Sequence, residues 1–169
     1  MLFVIGKRAT GDLADQLLAC HDRIRRFVAL AARLATEAAA PEELGAAALI
    51  IARYFSESFP LHLADEEALA RVLAARDEIL DAALGDMMMD HVAHAADVAE
   101  LVAICREIAD DPETRPRLSR ALAAVVQRLE GAFSQHLALE ERVIFPAIRH
   151  LPPHYQLALR VAAQRRRAA

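Results

Sequence analysis

The sequence predicts an all-α protein, an up-down-up-down four-helix bundle with a short C-terminal helix. Three observations carry this. The composition is rich in Ala and Leu, with only 5 Gly and few β-branched runs, which favours helix over sheet. Apolar residues recur at three- and four-residue spacing along four long stretches. The breaks between those stretches are short, so consecutive helices should be antiparallel. At 169 residues the chain suits a single domain, 1–169, with its core at about 12–148.

The first helix is expected from about Asp12 to Ala38, with Leu13, Leu17, Cys20, Ile24, Phe27, Ala31 and Leu34 as its apolar stripe. The second opens at Pro41, a favoured first helical residue, with Glu42 and Glu43 in its first turn. Its stripe runs through Leu44, Ala48, Ile51 and Phe55 to Leu69, and Pro60 should kink or restart it. The third runs from Leu80 or Asp86 to Ala109 through Leu84, Met88, Val98, Val102, Cys105 and Ile108. The stretch "DDPETRP" breaks the chain before a fourth helix, Pro116 to Ile144, with Leu118, Leu122, Val125, Leu129, Phe133 and Val143 inward. A break follows Pro146, then a terminal helix from about His154 to Arg166. The basic end "QRRRAA" reads as a solvated tail.

Charge and cysteines narrow the function. A net charge of −4 argues against a nucleic-acid binder. Cys20 and Cys105 lie far apart in apolar helical patterns, as buried free thiols of a reducing compartment do. The start "MLFVIGKR" is too short an apolar run for a signal peptide, and no stretch approaches a membrane span. The expected location is cytoplasmic.

Each stripe contains histidine. His21, His62, His91 and His136 each aim inward from a different helix, and Glu66 and Glu140 follow His62 and His136 by four residues. A single inward His is ordinarily a hydrogen-bonded core residue. The carboxylates alter that reading. A carboxylate buried among aliphatic side chains costs several kcal/mol unless paired or bound to a cation, and no Lys or Arg lies in these stripes to pair with Glu66 or Glu140. Two carboxylates and four imidazoles need positive charge among them, which a pair of metal ions would supply. Residues four apart share a helix face, and imidazole with carboxylate favours iron, manganese or zinc over calcium or magnesium. The pattern also repeats: Phe-x-x-His-x-x-x-Glu occurs at Phe59, His62, Glu66 and at Phe133, His136, Glu140. His91 follows His21 by 70 residues and His136 follows His62 by 74. Two helix pairs around a two-metal site would show this pseudo-symmetry.

Around these residues stand "CHDRIRRF", "FPLHLADEEALARVL", "MDHVAHAADV" and "FSQHLALEERVIFP". Together they resemble the hemerythrin-like, or HHE cation-binding, family over about Asp12 to Ile148. The resemblance implies a non-heme di-iron centre with oxo or carboxylate bridges. His21, His62, His91 and His136 would be terminal ligands and Glu66 and Glu140 the bridges. One position departs from the five-histidine respiratory pattern: Ala95 stands four residues after His91, and His94 stands at three. His94 is a substitute ligand, a supporting group or a surface residue. Zinc or manganese would also suit the donor set.

The implied activity is binding of, or reaction with, a small ligand such as dioxygen, peroxide or nitric oxide, in sensing, detoxification or iron handling. A peroxide-consuming di-iron enzyme and a metal-dependent regulatory module without turnover are the rival readings. Of the neighbouring residues, Asp65, Glu67 and Glu141 read as solvated or supporting acids, Asp90 as a group able to orient His91, and Tyr54 as core. Met87, Met88 and Met89 read as core filler, and His150 and His154 as surface.

Overall fold

The computed structural model describes residues 12–168; the expectation for the start of the chain falls outside them. Among the described residues all regular structure is helical, and no helix is long and apolar enough to cross a membrane.

Helix α1 (Leu13–Thr36) starts at Asp12, whose side chain accepts from the Asp15 N–H while Asp15 caps the Asp12 N–H in return. Arg149 ties both carboxylates to the far end of the chain, at 3.2 and 3.1 Å. Helix α2 (Pro41–Arg53) passes through a π turn (Tyr54–Ser58) into α3 (Phe59–Leu73) without a break. Pro60 explains the wide turn. A proline has no N–H and crowds the carbonyl four residues back, and the i→i−5 bond from the Phe59 N–H to the Tyr54 oxygen opens the coil just ahead of it. The corner after α3 uses Ala75 at φ 61°, a left-handed conformation costly for an L residue. Its N–H donates to Asp81 at 2.9 Å.

Helix α4 (Glu78–Asp110) is capped by Asp77, which accepts from Ile79 and Leu80. A short 3-10 turn (Pro112–Thr114) leads into α5 (Arg115–Leu139). Here the sequence reading needs correction. The helix does not end at Ile144. A second π turn (Glu140–Ile144) carries it into α6 (Phe145–Arg149), again just before a Phe-Pro pair. Helix α7 (Pro153–Ala168) closes the chain. Its basic end is not a free tail either: Arg166 and Arg167 both close on the buried Asp65 carboxylate, with contacts of 2.5 and 2.6 Å.

Helix α1 packs on α2 and α5, α4 packs on α2 and α5, and α7 lies over α1 and α3. Two apolar clusters form the interior. One holds Ile24, Phe55, Leu101 and Leu129; the other holds Leu17, Leu69, Met87 and Ile144. Met87, not Met88, is the buried methionine of α4; Met88 and Met89 are exposed. Tyr54 is buried and stacks on Phe27 with ring centroids 4.0 Å apart. Cys105 is buried and Cys20 half-buried, both free. Between the clusters runs a polar layer that the chain crosses four times. It goes from Leu17 through His21 to Ile24, then back from Phe59 through His62 and Glu66 to Leu69. It goes again from Met87 through His91 to Leu101, and returns from Phe133 through His136 and Glu140 to Ile144.

Candidate metal centre

Helical spacing brings the six side chains to one place. His21 comes from α1, His62 and Glu66 from α3, His91 from α4, and His136 from α5, with Glu140 opening the second π turn. All six are buried; His21, Glu66 and Glu140 are 0 % exposed. They form two groups that share the carboxylates: His21, His62, Glu66 and Glu140, and His91, His136, Glu66 and Glu140. Within each group the donor atoms lie within 4.8 Å of one another.

Each carboxylate splits its oxygens between the groups. Glu66 Oε1 lies 2.8 Å from His62 Nε2 and 3.6 Å from His21 Nε2, while its Oε2 lies 3.2 Å from His91 Nε2. Glu140 Oε2 lies 2.9 Å from His21 Nε2, while its Oε1 lies 3.3 Å from His136 Nε2. Yet none of these four carboxylate oxygens, nor Nε2 of His21, His62 or His91, has a hydrogen-bond partner of proper geometry. The atoms are close without pointing at one another. Donors bound to one ion at about 2.0–2.2 Å stand roughly 3 Å apart when at right angles, which matches these spacings. Buried orphan atoms of this kind are costly, and a cation at each focus would satisfy them. The residues therefore fit a pair of ions.

Burial alone would raise the Glu66 carboxyl, but the His62 charge and the close imidazoles of His21, His62 and His91 hold it well below its usual value. Burial, then the charge of Glu66, pushes Glu140 up. Burial opposes protonation of His21 and His62, but the carboxylates raise them to about 9 and about 10. Burial lowers His136. Without an ion, the rings hold Glu66 ionised while burial and the Glu66 charge push Glu140 toward its protonated form.

Two outer carboxylates orient the rings. Glu141 Oε1 sits 2.9 Å from His21 Nδ1 and is itself held by Arg25 at 2.6 Å. Asp90 Oδ2 sits 3.2 Å from His136 Nδ1, so it serves the ring across the site and not the neighbouring His91. A carboxylate on the far nitrogen fixes the tautomer and raises the basicity of the near one. Nδ1 of His62 and of His91 has no such partner.

A family model, the hemerythrin HHE cation binding domain, matches residues 12–148. The chain belongs to this family. No curated protein and no solved structure shows a significant match. The buried His and Glu groups of this HHE cation-binding domain could hold a metal.

His94 stands outside both donor groups. It is buried against Phe133 and His136, with ring centroids at 5.3 and 5.4 Å. It lines a cavity of about 300 Å³ with His91 and the apolar side chains of Phe55, Phe59, Leu63 and Val98. His150 and His154 are exposed. The sequence reading did not reveal the π turns, although the repeated Phe-Pro pair was the available signal. Nor did it reveal the across-site pairing of Asp90, because residue spacing along one helix says nothing of the facing helix.

Proposed function

We propose that the chain is an up-down-up-down four-helix bundle holding a non-heme di-iron centre that binds or reacts with dioxygen, peroxide or nitric oxide. His21, His62, His91 and His136 would be the terminal ligands, and Glu66 and Glu140 the bridges. The observation that carries this reading is the division of both carboxylates between two imidazole pairs. When bound, two redox-active ions would supply electrons and open coordination positions for a small ligand.

The chain's own residues do the rest. Two imidazoles per half leave room beside each ion. The cavity at His91 and His94 gives a small apolar molecule a path from solvent. His94 lies beside that path with its ring among apolar groups, placed to donate to or accept from a bound ligand; burial lowers its pKa, so at neutral pH it is an uncharged imidazole. The two apolar clusters keep bulk water from the remaining faces.

The test is a metal count with optical spectra of protein isolated in air, then reduced, then exposed to nitric oxide or peroxide. About two irons per chain and a spectrum that responds to ligand are expected. A stable, metal-free protein that takes up no iron would overturn the proposal. Sustained peroxide consumption would place the chain among enzymes rather than binders.

A further inference from the structure

A cavity of about 790 Å³ lies between α1, α3 and α7 and shares no lining residue with the His94 cavity. Its polar lining is Gln16 and Arg23 from α1, Asp65 from α3, and Arg160, Gln164 and Arg167 from α7. Three guanidinium groups thus face one carboxylate. That carboxylate is already engaged, since Asp65 accepts from Arg166 and Arg167. Arg160 is left over: its Nε is buried and has no hydrogen-bond partner among the described residues.

We infer that this cavity binds a small molecule through an oxyanion group, a phosphate or a carboxylate, with Arg160 and Arg23 as its donors. The guanidinium fork presents paired N–H groups that match two oxygens of such an anion. A neutral occupant would leave the surplus charge uncompensated, and a cation would be repelled. Gln16 and Gln164 offer amide groups at the margin for the rest of the molecule. The inference stands apart from the metal reading, because none of these residues belongs to the buried cluster.

Calorimetry of the full chain with its native metal content, titrated with inorganic phosphate and separately with succinate, tests this. Saturable binding of at least one probe is expected, and which one binds distinguishes phosphate from carboxylate. Binding should weaken roughly tenfold or more in Arg160→Gln and in Arg23→Gln, fall between in Arg160→Lys, and stay unchanged in Arg128→Gln, whose guanidinium pairs with Asp97 and Glu100 elsewhere. Thermal melting by circular dichroism checks that each variant is folded; Arg160→Gln removes no described Nε contact. Absence of saturable binding of both probes, or binding that Arg160→Gln and Arg23→Gln leave intact, would overturn the inference.

Discussion

The two halves of the buried cluster have the same donors and unequal surroundings. Around His21 and His62 the rings are 0 and 2 % exposed, and the orienting acid, Glu141, is clamped by Arg25. Around His91 and His136 the wall is thinner. His91 is 9 % exposed, Asp90 is 40 % exposed, and the His94 cavity reaches the imidazole directly. Pseudo-symmetry of sequence therefore produced matching donor sets in unequal surroundings.

The largest expected effect removes what the halves share. Glu66 places one oxygen in each group, so Glu66→Ala should strip both ions, taking the metal count from about two per chain toward zero and lowering the melting temperature, since metal binding is folding energy. Retention of two ions would break the comparison at its root. The next effect separates the halves. His62→Ala and His91→Ala each remove one imidazole from one group, so each should leave about one ion by elemental analysis. Only His91→Ala should alter the spectral response to nitric oxide strongly. Equal responses from the two variants would show that access is symmetric after all.

A smaller effect probes the orienting acids. Glu141→Gln and Asp90→Asn keep size but lose charge, and each should weaken metal affinity by roughly 10–100-fold in a chelator competition. Glu141→Gln should lie nearer the upper figure, because its carboxylate is less exposed than that of Asp90, 27 against 40 %, and its field is less screened. The reverse order would mean that exposure does not set the strength of this support.

Legibility in the sequence followed the range of the interactions. The helices, the inward histidines and the two carboxylates were readable because i, i+3 and i+4 spacing fixes a helix face whatever lies opposite. The two clusters and the polar layer between them follow from the same stripes. What failed to show was anything decided across the molecule. Met87 rather than Met88 is buried because of the register set by the partner helices. Arg166 and Arg167 turn back onto the bundle because Asp65, about a hundred residues earlier in the chain, is buried without another partner. The fourth helix continues past Ile144 because a π turn absorbs the Pro146 defect, a backbone option that apolar periodicity does not report.

The smallest effect, and the one that sharpens the contrast most, concerns access alone. Val98 is half-buried, lines the His94 cavity and is not one of the donor residues. Val98→Phe exchanges an isopropyl for a benzyl group, a small net addition to a space of about 300 Å³. Overpacking costs typically 1–3 kcal/mol when a core is full, but here there is room, so stability should change little. The ions should stay, because no ligand moves. The association rate of nitric oxide with the reduced protein, followed by stopped flow, should fall by roughly tenfold if this is the path to the His91 half, as expected for a gate whose opening then needs side-chain motion. Ala19→Phe is the matched control. Ala19 is exposed and lines the separate cavity between α1, α3 and α7, so its enlargement should leave the rate alone. A slow Ala19→Phe with a fast Val98→Phe would transfer the open role to the other half, and would do so without disturbing the shared carboxylates on which both halves depend.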